Sequence, residues 1–503
     1  MTGAVVVLMA DWAEIRIQFR TRDSEKERSN AMNMAIIMVD DNEVSTCWMI
    51  PDEVGFVRYL KLHLHTPLSR PIFTDHSSSS SACLFRAFAT IMGFGPLRSS
   101  IRILCITLGV PVLLYVAALG ALVSAPSLQI YAIYRHKAIL GSPQDLNSPE
   151  QFGFAHRQVT PFYISTTDGE ELHAWHVLPL GPYMAHQRAL LEQGTEGGLV
   201  ENIENTLNFE LLKNNPDARL VISFHGASGN MASYTRPDGY RSIYATDPAN
   251  THVLAFDYRG FGKSTGHPSE LGLIADARAV AEWALNTAGI PAERIVIHGQ
   301  SMGSAVATSL VHDFVTQREP PIYFAGLVLT APFMSVAQLT TTYRIASFIP
   351  VLSPVAKIKS VFDFFVSRLT STWDNMRRLS EIVERAERYD IAILHAEDDP
   401  EVPAEHAVKL FKAMVQAVEG AKVSGESEDE KGIADKAEGR KESRAEGGSF
   451  MTWSNEKGDI TLEILKYGLH DKLLTYPATG LAISRAFRSV SGCSTNASRK
   501  LYS

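Results

Sequence analysis

A chain of 503 residues with 45% hydrophobic and 20% charged residues has the composition of a globular protein. This excludes a wholly disordered chain and a protein that crosses a membrane many times. The net charge of -8, the pI near 6.1 and the lack of a long Lys/Arg tract disfavour nucleic-acid binding. The four cysteines leave residues 106–492 without any, which excludes a disulfide scaffold and a structural cysteine-zinc site.

Residues 103–123 form an apolar run without a charge. At about 1.5 Å rise per helical residue, the run is about as long as the hydrocarbon core of a bilayer is thick. We therefore predict one transmembrane helix within residues 99–126. The alternatives are a buried helix of a soluble protein and a signal peptide cleaved near Ala125. The length of the run favours the anchor.

The charges beside this run indicate its orientation. Arg98 and Arg102 precede it without an acidic residue nearby, whereas Arg135 and Lys137 follow it and are partly offset by acid. This bias favours a cytoplasmic amino terminus. The remainder of the chain then lies in a lumen or outside the cell, and Asn496 lies in a candidate glycosylation triplet.

Two stretches have the composition of disordered chain. Residues 1–90 show no sustained helical or strand period, and we predict a poorly ordered extension. Residues 418–448 consist mainly of Glu, Lys, Gly, Ser and Ala, and we predict a disordered insertion. A folded domain is predicted over residues 155–485, with a short tail over 486–503.

Within that domain, short β-branched runs alternate with helical patterns, which is typical of a mostly parallel sheet with helices on both faces. The predicted strands are residues 219–225, 252–257, 294–298, 325–329, 391–395 and 460–465. The predicted helices are residues 271–286, 305–315 and 404–418. An antiparallel hairpin of residues 162–166 and 171–177 comes before them. The pattern predicts an α/β fold.

The third predicted strand runs into Gly299-Gln300-Ser301-Met302-Gly303 and then into a helical segment of small residues. A sharp turn from strand to helix needs glycine at its flanking positions, so that the helix packs close to the strand. The turn leaves the hydroxyl of its central serine exposed. This context predicts Ser301 as a nucleophile.

A serine hydroxyl is a weak nucleophile unless a base accepts its proton and an acid orients that base. The turn after the fifth predicted strand carries Asp398 and Asp399, and both are candidates for the acid. Of the later histidines, His406 lies near the start of a helix, whereas His470 follows the last predicted strand. The order serine, aspartate, histidine, each after a strand, predicts His470 as the base.

A tetrahedral intermediate needs hydrogen-bond donors for its oxyanion. The loop 226–230 follows the first predicted strand, and Met302 follows the candidate nucleophile. We predict the backbone N–H groups of Ala227 and Met302 as the donors. Chemistry of this kind requires no metal and no organic cofactor, and none is predicted.

Five segments together resemble the α/β-hydrolase superfamily: HGASGN at 225–230, DYRGFGKSTG at 257–266, GQSMGS at 299–304, APF at 331–333 and HAEDDPEVP at 395–403. Within the superfamily the chain resembles the group named after α/β-hydrolase domain-containing protein 12. The resemblance implies Asp399 as the acid, which leaves Asp398 as a turn former. Gln300 stands where relatives often have histidine. Arg259 and Lys263 are expected to be structural.

The same resemblance implies a membrane-anchored serine hydrolase that cleaves lipid carboxylic esters. Its substrates would be monoacylglycerols or lysophospholipids, and its catalytic domain would face the lumen of the endoplasmic reticulum. The resemblance also implies a helical lid within residues 334–390. In that segment an apolar stripe recurs at helical spacing, which fits either acyl chains or packing on the core: Ile358, Phe362, Phe365, Leu369 and Trp373.

Two other functions are open at this point. A serine peptidase or a protein depalmitoylase would use the same residues, because a fold does not select the leaving group. A non-catalytic, hydrolase-like binding protein would keep the fold without the chemistry. The presence of all three triad residue types disfavours the binding protein.

Overall fold

The computed structural model describes residues 34–40, 43–51, 57–63, 99–138, 145–192, 198–345, 349–350, 353–420, 442–443 and 448–490. The chain divides into two compact units, Met1–Ile103 and Leu104–Ser503. The first unit contains an antiparallel sheet of β1 (Met34–Asp40), β2 (Glu43–Pro51) and β3 (Val57–His63). The predicted poorly ordered extension is therefore wrong for these strands, whose β-branched and aromatic residues favour pairing.

The second unit is built on one large sheet. Its strands are β4 (Val159–Ser165), β5 (Glu171–Val177), β6 (Arg219–Phe224), β7 (Thr251–Phe256), β8 (Ile295–Gln300), β9 (Gly326–Thr330), β12 (Tyr389–Ala396), β13 (Glu442–Ser443), β14 (Gly448–Asn455) and β15 (Gly458–Leu465). They lie in the order β13-β14-β15-β12-β9-β8-β6-β7-β5-β4. A separate pair joins β10 (Arg344–Ile345) to β11 (Ile349–Pro350).

The central strands from β15 to β7 are parallel, and the outer strands at both ends are antiparallel. The predicted α/β fold with a mostly parallel sheet is confirmed. The strand β14 lies outside every predicted strand. It was missed because its sequence, GSFMTWSN, is rich in polar residues and half-buried, as suits a strand near a sheet edge.

The described helices of the chain are α1 (Ser99–Ser124), α2 (Pro126–Tyr134), α3 (Leu180–Glu192), α4 (Leu207–Lys213), α5 (Arg236–Tyr244), α6 (Glu270–Glu282), α7 (Met302–Thr316), α8 (Val336–Thr342), α9 (Ser353–Ala356), α10 (Lys359–Val366), α11 (Asn375–Arg385), α12 (Glu405–Glu419) and α13 (Pro477–Val490). Helices lie on both faces of the sheet, since α7 and α13 contribute to two different buried clusters. Alternate residues of β6 face opposite cores, since Leu220 and Ile222 belong to one buried cluster and Val221 to another. A strand buried on both faces explains the continuous apolar runs in the sequence.

The predicted membrane segment lies in α1. Over the part of the chain that the structure describes, no single helix is long and apolar enough to span a bilayer. The segment Gly109–Ser124 and the helix Pro126–Tyr134, which meet at 102°, satisfy those requirements as a pair.

The structure differs from two predictions, the end of the domain and the apolar stripe in the lid segment. Helix α13 continues past residue 485, and both Ala486 and Phe487 are buried in the core, so the domain extends into the predicted tail. The apolar stripe predicted in the lid segment is not one helical face, because α10 ends at Val366. Trp373 then lies beyond the helix, in backbone with φ of 44°. Most of the predicted insertion at 418–448 lies outside the described residues.

Candidate active site

Ser301 lies at the sharp turn between β8 and α7. Its backbone adopts φ 52° and ψ -119°, a conformation that costs free energy in a residue with a side chain. A Cβ added to Gly299 would lie 2.4 Å from the carbonyl oxygen of Gly303, and one added to Gly303 would lie 2.0 Å from that of Phe224. Both flanking positions therefore require glycine, as the motif predicted.

The predicted residues Ser301 and Asp399 both lie within hydrogen-bond distance of the predicted base, His470. Ser301 Oγ is 2.8 Å from His470 Nε2, and His470 Nδ1 is 2.8 Å from Asp399 Oδ2. This geometry suits a neutral imidazole that donates from Nδ1 to the carboxylate and accepts the serine proton at Nε2. Asp399 and His470 are buried, whereas Ser301 is partly exposed.

Asp399 lies in a dense set of donors. Its Oδ1 accepts the backbone N–H groups of Glu401 and Val402 at 2.8 and 2.9 Å. Its Oδ2 also lies 3.3 Å from Nε2 of His395, a buried histidine on β12. Burial raises the pKa of Asp399, but the hydrogen bonds from His395 and His470 outweigh burial and hold this pKa well below its usual value. The carboxylate is therefore charged at neutral pH.

The opposite shift occurs at His470. Burial lowers the pKa of His470, but the hydrogen bond to Asp399 and the charge of that carboxylate outweigh burial and raise the pKa to about 8. The imidazolium form is thus favoured by its partner. The neutral imidazole that can accept the serine proton is therefore the major form only above about pH 8.

Two residues that brace the His470 loop were not predicted as site residues. Asp398 Oδ1 accepts the backbone N–H groups of Gly468 and Leu469, each at 2.8 Å. Gln300 donates from its amide to the carbonyl oxygen of His470. The prediction of Asp398 as a turn former was therefore incomplete. In the sequence, the one signal for a role of Asp398 or Gln300 is that each is adjacent to a triad residue.

The two residues predicted to supply the oxyanion donors, Ala227 and Met302, lie beside the turn at Ser301. Met302 is the first residue of α7, where backbone N–H groups have no partner within the helix. The loop that carries Ala227 reaches the nucleophile, since a Cβ added to Gly226 would lie 3.3 Å from Ser301 Cβ. The next N–H, of Ser228, donates to the carbonyl oxygen of Tyr134 at 3.0 Å.

Three other residues considered in the sequence, Arg259, Lys263 and His406, have partners outside the triad. Arg259 is held by Asp276 and Asp168, and Lys263 by Asp145. His406 is buried and has other partners than Ser301 and Asp399 in its hydrogen bonds. Its Nδ1 accepts the N–H of Met334, and its Nε2 lies 3.0 Å from the Thr342 hydroxyl. Burial lowers the pKa of His406 to about 4.

Known proteins resemble the chain over this domain. A family model described as serine aminopeptidase, S33, matches residues 215–422. The lysophosphatidylserine lipase ABHD12 of Xenopus tropicalis is 26% identical over 311 residues, which are 60% of this chain and 70% of the frog protein. The lysophosphatidylserine lipase ABHD12 of Rattus norvegicus is 28% identical over 53% of this chain and 58% of the rat protein.

Among solved structures, the esterase Pf2001 of Pyrococcus furiosus matches 72% of this chain and 99% of its own at 15% sequence identity and a TM-score of 0.41. The predicted resemblance to the group of α/β-hydrolase domain-containing protein 12 agrees with the curated relatives. The mostly parallel sheet and the five matching segments are those of an α/β-hydrolase fold, and the chain resembles the α/β-hydrolase superfamily.

Proposed function

We propose that the chain is a membrane-anchored serine hydrolase that cleaves carboxylic esters of lipids. The observation that carries this proposal is the relay in which Ser301 Oγ lies 2.8 Å from His470 Nε2 and His470 Nδ1 lies 2.8 Å from Asp399. A serine, an imidazole and a carboxylate in this order are the parts of an acyl-transfer site.

In the first half of the reaction, Ser301 Oγ attacks the ester carbonyl carbon while His470 Nε2 accepts the hydroxyl proton. The carbonyl oxygen becomes an oxyanion, and the N–H groups of Ala227 and Met302 donate to it. Asp399 stabilises the imidazolium. The intermediate then expels the alcohol, which takes the proton from His470 and leaves the acyl group on Ser301.

In the second half, water attacks the acyl carbon and gives its proton to His470. The new tetrahedral intermediate breaks the bond to Ser301 Oγ, which recovers its proton from His470. The products are a fatty acid and the free enzyme. Every proton transfer uses side chains of this chain, so the reaction proceeds without a metal or an organic cofactor.

The curated relatives support a lipid substrate, since those reported above are named lysophosphatidylserine lipases. We therefore assign monoacylglycerols or lysophospholipids as the substrates. The apolar side chains of α1 support a membrane anchor, because Val112, Leu113, Leu114 and Val116 are all more than half exposed. The flanking charges support an amino terminus in the cytoplasm, and the resemblance to the group of α/β-hydrolase domain-containing protein 12 supports a catalytic domain in the lumen of the endoplasmic reticulum.

The test uses the full chain in detergent with lysophosphatidylserine and a monoacylglycerol of the same acyl chain. We expect Ser301→Ala to lower hydrolysis by at least about 10³-fold. The control is Ser309→Ala, because Ser309 lies on the same helix and bonds only to the carbonyl oxygen of Ala305 in this structure. Undiminished hydrolysis by folded Ser301→Ala would contradict the assignment.

Sidedness needs a second measurement. A membrane-impermeant fluorophosphonate probe should label wild-type protein only after vesicles with the cytoplasmic face outward are permeabilised, and should not label Ser301→Ala. Equal labelling of intact vesicles would place the site on the cytoplasmic side and favour protein depalmitoylation.

A peptidase is the second candidate, because the matching family model is described as a serine aminopeptidase. The same triad cleaves amides when the pocket holds a peptide. An aminoacyl anilide assayed beside the lipid esters separates the two. Faster turnover of the anilide than of either lipid would favour the peptidase.

A further inference from the structure

Arg236 is a buried cation at the start of α5. Arg236 is only 4% exposed to solvent. Its guanidinium donates from Nη2 to the carbonyl oxygens of Gly226 at 3.1 Å and Ala227 at 3.2 Å, and from Nη1 to that of Asn230. All three acceptors belong to the loop that contains the proposed oxyanion donor.

This arginine has no direct ion-pair partner among the described residues, whereas the buried Arg259 is paired with Asp276 and Asp168. Burying a cation is costly unless other groups compensate it, and here backbone carbonyl dipoles do so. A positive charge that is held by backbone carbonyls and has no direct ion-pair partner suits a site where negative charge develops during the reaction.

The hydrogen bonds of Arg236 also orient the loop. In a trans peptide unit the N–H and the preceding carbonyl point in opposite directions. Because Nη2 holds the carbonyl of Gly226, the N–H of Ala227 points away from the guanidinium. The same holds for the following peptide unit, in which the carbonyl oxygen of Ala227 accepts a hydrogen bond from Arg236 and the N–H of Ser228 donates to the carbonyl oxygen of Tyr134 at 3.0 Å. Arg236 thus holds the Gly226–Ala227 peptide by its carbonyl oxygen, on the side opposite to the N–H of Ala227.

From these contacts we infer that Arg236 is the positioning residue of the oxyanion site. It holds the Gly226–Ala227 peptide so that its N–H meets the oxyanion, and it adds a positive charge behind that peptide. Arg236 does not touch the substrate. The inference rests on the proposed function, since it concerns the intermediate formed by Ser301. It predicts a loss of transition-state stabilisation with little change in substrate binding.

The test compares Arg236→Ala with Arg241→Ala in the full chain, using a short soluble ester. Arg241 is a matched control because it lies on the same helix and also donates to a backbone carbonyl, that of Phe152. We expect Arg236→Ala to lower kcat by about 10²-fold, the usual effect of losing one oxyanion donor, with KM changed less than about threefold. Guanidinium ion, below denaturing concentrations, should restore part of kcat in Arg236→Ala and none in Ser301→Ala.

Arg236→Lys serves as the second variant if Arg236→Ala does not fold. Lysine keeps the charge but lacks the planar fork that holds several carbonyls in a fixed geometry, so we expect kcat between those of wild type and Arg236→Ala. A trifluoromethyl ketone, which forms an oxyanion adduct with the serine, should lose affinity by the same factor as kcat/KM. The inference is overturned if kcat of folded Arg236→Ala stays within about threefold of wild type, or if kcat of Arg236→Lys equals that of wild type. An equal loss in Arg241→Ala or an unchanged ketone affinity also overturns it. Activity retained by Ser301→Ala would instead reject the proposed function.

Discussion

The amide of Gln300 donates a hydrogen bond to the carbonyl oxygen of His470 at 3.3 Å, and a second one to Asp471 Oδ1 at 3.1 Å. The residue before the proposed nucleophile therefore holds the loop of the proposed base. Since Gln300 is the last residue of a central strand, the rigid sheet sets the position of a loop that is otherwise distant in sequence.

Replacing Gln300 by alanine should loosen the His470 loop. A hydrogen bond contributes about 1 kcal/mol, and we expect kcat to fall about five- to tenfold because the imidazole is held less well against Ser301. Gln317→Ala is the control, since Gln317 lies at the surface end of α7. Steady-state kinetics on a soluble ester checks this, and equal kcat in the two variants would contradict it.

The two adjacent aspartates should differ in their effects. Asp399→Asn removes the charge that stabilises the imidazolium and favours the wrong tautomer, so kcat should fall by about 10⁴-fold, as in serine proteases. Asp398→Ala removes only the acceptor for Gly468 and Leu469, and a fall of about tenfold is expected. A greater loss in Asp398→Ala than in Asp399→Asn would move the acid to position 398.

The pH dependence of kcat/KM should report His470. Its pKa of about 8 lies above the ordinary value of 6.5, so the imidazole is mostly protonated at pH 7 and cannot accept the serine proton. We therefore expect kcat/KM to rise about tenfold per pH unit below pH 8 and to level off above it. A profile already flat at pH 7 would show that the pKa of His470 is not raised in the free enzyme.

Buried histidines should make the fold sensitive to acid. His176 Nε2 lies 3.0 Å from His252 Nδ1, and burial lowers the pKa of His176 to about 3 and that of His252 well below its ordinary value. Since the unfolded chain binds protons first, the free energy of unfolding should fall as the pH drops below about 6.5. Urea unfolding at several pH values measures this.

The double variant His176→Leu/His252→Leu removes both groups and leaves no orphaned partner. Its free energy of unfolding should depend less steeply on pH between about 6.5 and 4 than that of wild type. Parallel slopes in the two proteins would mean that this pair does not titrate on unfolding.

Local sequence was sufficient to predict the turn at Ser301 and the positions of the central strands in the chain. The turn at Ser301 is dictated by neighbours in the chain, because Gly299 and Gly303 leave no room for a Cβ. His470 was identified by its place after the last strand. Parallel strands bring their carboxyl ends to one edge, so residues that follow those strands meet there.

The strand β14 was not predicted, since a half-buried strand rich in polar residues carries a weak periodic signal. Which of Asp398 and Asp399 faces His470 depends on the direction of each side chain in a turn. In the tertiary structure Asp399 meets the imidazole, and Asp398 holds the loop behind it.

The sequence by itself determined the α/β architecture, the serine elbow and the residue types of the site, because these follow from patterns along contiguous segments. Only the tertiary structure decided how Gln300, Asp398 and Arg236 support the site. Their partners lie in loops brought together by the sheet, as with Gln300 and His470. A hydrogen bond to a backbone carbonyl leaves no pattern in the sequence, since every residue provides that acceptor.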